Sequence, residues 1–283
     1  MELRTDELAL HYEDDGDPGA PPILILHGIT QSTATWRWLV PHLAADHRVV
    51  RLDFRGHGLS GRTPGAYAFP GYVADATAIC EQVLQGPAVV VGHSLGGGTA
   101  AALAQTRPEL VRGVVLEDPA IAESMRQPMT PEENPLLGGF QLMRQSIPML
   151  QETRISIAEL VEMLRAAPSP AGPPFGELVH EDALETMAEA MLQLDATVLD
   201  AVFDGTIAPV FDGRRELPVP AIVVAGDLAL PDTIVREPEL ALLDEHNPKV
   251  EVRAIPGAGH LIHDSREHRG AVLEAVRDLL ARV

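Results

Sequence analysis

The stretch that decides the fold is Val89-Val90-Val91-Gly92-His93-Ser94-Leu95-Gly96-Gly97-Gly98. Its valines predict a short buried strand, and the Ala-rich run from Thr99 to Gln105 predicts a helix, so Ser94 lies in the turn between them. The flanking glycines permit a sharp turn and a close approach of helix and strand, which exposes the serine hydroxyl at the edge of a sheet. A G-x-S-x-G pattern is common by chance, but between a strand and a helix it indicates a nucleophilic serine.

Short runs rich in Val, Ile and Leu recur along the chain between helix-like segments, which is typical of the buried strands of a parallel sheet. These runs are Pro22 to Leu26, Val49 to Asp53, Ala88 to Val91, Val114 to Leu116, Ala221 to Ala225 and Val250 to Ile255. Before them, Leu3 to Tyr12 has the pattern of a strand leading into the turn-rich Asp14 to Gly19, which fits an antiparallel hairpin at the sheet edge. The pattern predicts an α/β fold.

The alternation of strands and helices is interrupted between about Ile121 and Glu216. Two helix-like stretches, Ile157 to Ala167 and Glu181 to Leu194, flank a proline-rich loop in this region. We therefore expect a core domain made of residues 1–120 and 217–283, with a helical cap (lid) domain, residues 121–216, inserted between two core strands. Seven of the eight methionines lie in the expected cap, either as core filler or as a plastic apolar roof over an active site.

A serine hydroxyl is nearly unreactive at neutral pH, so a base must take its proton as it attacks a carbonyl carbon. The segment from Val250 to His260 provides a strand, a glycine turn and a histidine, and an amphipathic helix from Arg266 to Val283 follows. His260 is the expected general base. His263 completes an H-x-x-H pattern, but no third ligand stands nearby, so we expect no metal and place His263 at the surface or the pocket rim.

The negative charge of a tetrahedral intermediate needs preorganised donors, normally two backbone N–H groups. Leu95 should supply one, because it follows the nucleophile at a helix N-terminus. The second should come from Ile29, since His27 and Gly28 let the backbone turn inward after the strand that ends at Leu26. A purely structural turn at that strand end is also compatible with these residues.

These motifs, in this order, resemble the α/β-hydrolase superfamily over nearly the whole chain. His27 to Ser32 followed by Trp36 is similar to that family's oxyanion-loop region, Asp53 to Ser60 to its D-x-R-G-x-G-x-S segment, and Gly257 to His260 to its G-x-G-H ending. The resemblance implies a Ser-His-acid site that needs no cofactor and no metal. It implies a structural role for the segment from Asp53 to Ser60, and we expect His93 to be a packing and hydrogen-bonding residue of the turn.

The third catalytic residue is where the chain departs from the common pattern of the family. The usual aspartate follows the penultimate core strand, about three residues beyond a glycine, and here that position is Ala229. Some members carry the acid after the strand that follows the nucleophile helix, and here Asp118 stands there, 24 residues after Ser94. We predict Asp118 as the acid, with Asp227 and Asp232 as alternatives. Glu117 is adjacent, but strand alternation points its side chain to the other face.

Composition limits the partners of the protein. The formal charge of −20 repels nucleic acid and acidic membrane surfaces, which favours a small neutral or apolar substrate. The single Cys80 cannot form an internal disulfide, and the first residues lack the pattern of a secretory signal, so we expect a cytoplasmic protein. No uninterrupted apolar run of about 20 residues predicts a membrane span. The sequence leaves open whether the protein forms a homodimer.

The most specific prediction from these features is a serine hydrolase that cleaves a carboxylic ester or lactone. Serine in place of an aspartate nucleophile argues against the haloalkane and epoxide branches of the family. Carbon–carbon bond hydrolases, thioesterases, amidases or aminopeptidases and cofactor-free peroxidases share a similar site, and a ligand-binding protein on the same fold is the rival of another class. The residues expected to contact the substrate are Gly28, Trp36, Met143 and Leu261.

Overall fold

A computed structural model describes residues 1–121, 135–169, 172–208 and 211–283. Within these ranges the strands form one sheet in the order β1-β2-β4-β3-β5-β6-β7-β8. The strands from β3 to β8 pair in parallel, and β2 pairs antiparallel with both β1 and β4. The strands are β1 Glu2–Arg4, β2 Ala9–Asp15, β3 Pro22–Leu26, β4 Arg48–Leu52, β5 Ala88–His93, β6 Val111–Glu117, β7 Ala221–Ala225 and β8 Glu251–Ala254. The predicted α/β fold with a mostly parallel sheet is confirmed.

Helices cover both faces of the sheet and fill the connection between β6 and β7. They are α1 Phe69–Ala78, α2 Leu95–Thr106, α3 Pro135–Thr153, α4 Ile157–Ala166, α5 Phe175–Leu178, α6 Glu181–Gln193, α7 Asp200–Phe203, α8 Glu237–His246 and α9 Arg269–Leu280. A wider helical turn, Ile79–Leu84, continues α1, and short 3₁₀ turns include Thr33–Trp36 and Ile262–Asp264. No helix in the part of the chain described here is long and apolar enough to cross a bilayer.

Side-chain alternation along the central strands divides the core between the two faces of the sheet. Leu24 and Val90 point to the face that packs on α2, whereas Ile23 and Val91 point to the face that packs on α9. Because both faces are covered, β5 is buried over its full length, which explains its continuous apolar run. The parallel strands all end at one edge of the sheet, and the loops there carry the residues predicted to react.

The connection between β6 and β7 is largely helical. Two of its helices, α4 and α6, match the stretches predicted from the sequence to within a residue. Helix α3 was not predicted, because Gly138, Gly139 and Pro148 break the helical pattern of its 19 residues. The extent of the cap as residues 121–216 stays a prediction. Three parts of it lie outside the described residues: 122–134, which include Met125 and Met129, 170–171 and 209–210.

The prediction of one strand from Leu3 to Tyr12 is wrong. The chain reverses inside that stretch, where the N–H of Thr5 donates to the carbonyl of Leu8 at 3.0 Å and the hydroxyl of Thr5 accepts from the N–H of Leu8 at 3.1 Å. Strands β1 and β2 therefore form the edge hairpin themselves. The threonine hydroxyl stabilises this turn by local bonds that compete with a continuous strand.

Candidate active site

Ser94 occupies a strained turn between β5 and α2. Its backbone has φ 52° and ψ −112°, a left-handed conformation that is rare outside glycine. The N–H of Ser94 donates to the carbonyl of Glu117 at 2.9 Å, and its carbonyl accepts the N–H of Gly98 at 2.9 Å. These bonds hold the turn against the end of β6 and against the first turn of α2.

The two outer glycines of G-x-S-x-G are required by close backbone contacts. A Cβ on Gly92 would lie 2.2 Å from the carbonyl oxygen of Gly96, and a Cβ on Gly96 would lie 2.4 Å from the carbonyl oxygen of Leu26. Both distances are far below van der Waals contact. The glycines therefore let α2 start directly against β3 and β5, as the sequence pattern predicts.

His260 and Asp118 form a buried pair. The Nδ1 of His260 donates to Oδ2 of Asp118 at 2.6 Å, and the two side chains are 6% and 0% exposed. The same carboxylate accepts the N–H groups of Ile234 at 2.8 Å and Val235 at 3.1 Å, which fix its orientation. With Nδ1 bonded to the carboxylate, Nε2 is the ring nitrogen that can accept a proton.

The alternative acids have other partners. Asp227 accepts the N–H groups of Gly257 at 2.8 Å and Ala229 at 2.9 Å, so its carboxylate stabilises the two loops beside it. Oδ2 of Asp232 lies 3.5 Å from the backbone N–H of His260, at the limit of a hydrogen bond. Of the three aspartates considered, Asp118 is the one bonded to the imidazole.

His93 joins the serine turn to the loop of His260. Its Nε2 donates to the carbonyl of His260 at 3.0 Å, and the centroids of the two rings are 4.5 Å apart. Burial is the main cause that lowers the pKa of His93 well below its ordinary value, so the ring is neutral. His93 therefore packs and hydrogen-bonds beside Ser94, as expected from the sequence.

The two backbone N–H groups predicted for the oxyanion site lie at loop and helix starts. Leu95 is the first residue of α2, so its N–H has no acceptor within the helix. Among the described residues, the N–H of Ile29 makes no hydrogen bond to a backbone carbonyl. The turn that carries Ile29 is closed by the N–H of Gln31, which donates to the carbonyl of Gly28 at 3.2 Å.

The residues predicted to contact substrate divide into two groups. Trp36 is fully buried and stacks on His263 with ring centroids 4.6 Å apart, so its indole supports the loop of His260 from the core, and its contact with substrate stays a prediction. Gly28 has no room for a side chain, since a Cβ there would lie 2.5 Å from Nδ1 of His93. Met143 and Leu261 are half-buried, on α3 and directly after His260, and stay candidates.

His263 is not at the surface or the pocket rim, contrary to the expectation from sequence. It is fully buried, and Oε1 of Glu117 accepts both its Nδ1–H at 2.8 Å and its backbone N–H at 2.9 Å. Burial alone would lower the pKa of His263, but the carboxylates of Asp264 and Glu117 raise it to about 10. The histidines of the H-x-x-H pattern thus bind neighbouring carboxylates, His260 with Asp118 and His263 with Glu117.

Sequence reasoning missed the roles of Glu117, Gln31 and Asp264. The signal available was the Glu117-Asp118 pair at one strand end together with two histidines three residues apart in one loop. His93, Glu117 and His263 also bring possible metal-ligating atoms within 4.8 Å of one another. The nitrogens of both rings and Oε1 of Glu117 each lie within hydrogen-bond distance of another protein group.

A comparison of the chain with known protein families identifies the family to which it belongs. The model of the family described as alpha/beta hydrolase fold matches residues 21–267. The chain therefore belongs to the α/β-hydrolase family. Enzymes that hydrolyse their substrates are the class to which this fold and site point.

The similar proteins include several kinds of hydrolase. The chain is 29% identical to lipase LipV of Mycobacterium tuberculosis over 231 residues, covering 78% of this chain and 74% of the lipase. It is 25% identical to 2-(acetamidomethylene)succinate hydrolase of Mesorhizobium japonicum, covering 91% and 87% of the two chains. A shorter stretch of 99 residues is 43% identical to a serine hydrolase-like protein of Danio rerio and spans 30% of that protein.

Solved structures share the whole fold. The enol-lactonase of Burkholderia xenovorans superposes with a TM-score of 0.70 at 20% identity, covering 99% of this chain and 100% of the lactonase. At this identity the similarity establishes the fold alone. The reaction of this chain has to be argued from its own residues.

Proposed function

We propose that the protein is a serine hydrolase that cleaves a carboxylic ester or lactone by acyl transfer. Ser94 is the nucleophile, His260 the general base and Asp118 the acid that orients the base. The observation that carries this proposal is the 2.6 Å bond between Asp118 and His260, whose ring centroid lies 4.5 Å from that of His93, next to the strained turn of Ser94. Strain of this kind persists where the surrounding structure holds a reactive group in place.

The reaction follows from the positions of the protons. As the hydroxyl oxygen of Ser94 attacks the carbonyl carbon, Nε2 of His260 takes the hydroxyl proton, and the carboxylate of Asp118 stabilises the resulting imidazolium. The N–H groups of Ile29 and Leu95 are the donors proposed for the oxyanion. The imidazolium returns its proton to the leaving alkoxide, which leaves as an alcohol, or stays attached to the acyl chain when the substrate is a lactone.

The second half of the reaction repeats these steps with water. His260 takes a proton from a water molecule as its oxygen attacks the acyl carbon, and the carboxylic acid leaves as Ser94 recovers the proton. This sequence needs no redox step, because the bond broken is replaced by one to oxygen in each half. The site residues named above are sufficient for every proton transfer.

A small apolar substrate fits the charge of the protein best. The formal charge of −20 disfavours polyanionic partners. Two arginines of the helical connection are already paired, Arg144 with Asp200 and Arg165 with Glu181, which argues against their binding an anionic substrate. The names of the lipase and the enol-lactonase among the similar proteins also favour an ester or lactone.

The test is hydrolysis of p-nitrophenyl esters from acetate to octanoate, beside a panel of lactones and one p-nitroanilide. We expect ester or lactone turnover by the wild type, and its loss in Ser94→Ala. The matched control is Ser169→Ala, which removes a buried hydroxyl that has no hydrogen-bond partner among the described residues and should keep activity.

The outcomes separate the candidate reactions. Turnover of the anilide without turnover of any ester or lactone would move the assignment to amide hydrolysis. Ester turnover that survives in Ser94→Ala would contradict the proposed nucleophile. A preference for acetate over the longer esters by orders of magnitude in kcat/KM would contradict the apolar substrate proposed above.

A further inference from the structure

A second histidine–carboxylate pair lies beside the proposed catalytic pair. Glu117 and His263 are both fully buried, and Oε1 of Glu117 accepts the side-chain and backbone N–H groups of His263 at 2.8 Å and 2.9 Å. Glu117 and Asp118 are consecutive at the end of β6, while His260 and His263 share one loop. Two adjacent carboxylates therefore hold the loop of the proposed base at two points.

The side-chain amide of Gln31 connects this pair to the proposed oxyanion loop. Oε1 of Gln31 accepts the N–H of Gly28 at 2.8 Å, and Nε2 of Gln31 lies 3.0 Å from Nε2 of His263. Oε1 also lies 3.0 Å from Nδ1 of His93, whose other nitrogen donates to the carbonyl of His260. Gln31 is 6% exposed, so these contacts are shielded from water.

The amide suits this position because it offers both a donor and an acceptor. If Nε2 of His263 is unprotonated, the Gln31 nitrogen donates to it. If that nitrogen carries a proton, the amide can turn its oxygen toward His263 and its nitrogen toward His93. In the first orientation Gln31 joins Gly28 to His263. In the second it joins His263 to His93, and the N–H of Gly28 loses its acceptor.

We propose that Gln31 is a positioning residue that fixes the oxyanion loop relative to His260, with Glu117 and His263 as its anchor. This proposal rests on the proposed hydrolase function. Gln31 acts through Gly28, which precedes Ile29, and through His93 and His263, and it does not touch the reacting atoms. A displacement of about 1 Å between reacting groups can cost about 10²-fold in rate. Loss of this link should therefore lower kcat strongly and leave substrate affinity nearly unchanged.

The variant that tests this is Gln31→Met, which keeps the length of the side chain and removes its hydrogen bonds. The matched control is Asn247→Leu. Asn247 is also a buried amide with bonds to loop backbone, from the N–H of Leu217 at 2.7 Å and to the carbonyl of Gly213 at 2.9 Å. Both substitutions leave buried polar groups unpaired and lower Tm, but only Gln31→Met removes a link between the two loops.

The primary measurement is the second-order rate of Ser94 labelling by a fluorophosphonate. This reagent needs the nucleophile, its base and the oxyanion donors, but no particular ester. We expect labelling about 10- to 100-fold slower in Gln31→Met and within about twofold of wild type in Asn247→Leu, at a temperature where circular dichroism shows both folded. With an ester substrate, kcat should fall in parallel while KM stays within about twofold.

Gln31→Asn provides a second variant if Gln31→Met does not fold. It keeps an amide but is too short to join Gly28 and His263 at once, so the same slow labelling is expected. Labelling of either folded variant at the wild-type rate would overturn the proposed role of Gln31 and leave the hydrolase function intact. Absence of labelling in the wild type would overturn the hydrolase function, and this proposal with it.

Discussion

Asp118 combines an unusual backbone with an unusual place in the chain. Its φ is 34°, and its N–H donates to the carbonyl of Val224 at 2.8 Å. A non-glycine residue in this region costs about 1–3 kcal/mol and persists only when its surroundings fix it. The position of Asp118 after β6 could be predicted from a family pattern, whereas its strain could not, because it depends on β7 and on the loop at Ile234.

Replacing Asp118 by asparagine should lower kcat by about 10⁴, because the amide cannot stabilise the imidazolium and favours the wrong tautomer of His260. Asp227→Asn is the matched control, since Asp227 binds backbone N–H groups of two loops and should leave kcat within about tenfold of wild type. Steady-state kinetics of both variants on one ester measures the difference. The reverse ranking would assign the acid to Asp227.

His263 should make stability depend on pH. Its pKa is raised to about 10 in the folded protein by Asp264 and Glu117, against an ordinary value of about 6.5 when unfolded. Its contribution is therefore complete below about pH 6.5 and is lost as the pH rises toward 10. The Tm of the wild type should fall toward that of His263→Gln over this window.

Two buffered melting series, one for each protein, measure this difference. Burial raises the pKa of Cys80 to about 12. Because Cys80 is present in both proteins, its titration cancels in the comparison. Parallel Tm curves from pH 6 to 10 would contradict the charged pair that we assign to His263 and its carboxylates.

At the scale of elements, the sequence defined best those strands that are buried on both faces. Strands β3 and β7 have the predicted bounds, because their apolar runs end at turn residues. Strand β6 begins at Val111, three residues before the predicted start, since Arg112 and Gly113 interrupt its apolar run. Its extension is stabilised by pairing with β5, which is a tertiary effect that a single strand's sequence does not carry.

Helix α4 provides a test of local stability within the helical connection. The hydroxyl of Ser156 accepts the N–H of Glu159 at 3.2 Å, and the carboxylate of Glu159 accepts the N–H of Ser156 at 3.0 Å, which is a complete capping box. Ser156→Ala should cost about 1 kcal/mol and lower the urea midpoint. Ser146→Ala, inside α3, should be neutral or slightly stabilising because alanine favours helix. Equal midpoints for the two variants would contradict the cap.

At the scale of the whole molecule, the site is a product of the parallel sheet. Ser94, Asp118 and His260 follow β5, β6 and β8, and their loops meet because the strands end at one edge. The order of motifs predicts this convergence from sequence alone. Gln31 and His263 are 232 residues apart in the sequence, and no local pattern indicates their contact. Substrate preference depends on such distant contacts, so it needs direct measurement.

The central claim is that Ser94 is the reactive nucleophile, activated by His260. Mass mapping of the protein after treatment with a fluorophosphonate tests it most directly. We predict one label per chain on the peptide that contains Ser94, no label in Ser94→Ala, and labelling slowed by about 10³ or more in His260→Ala. A label on another residue, or labelling unaffected in His260→Ala, would contradict the account.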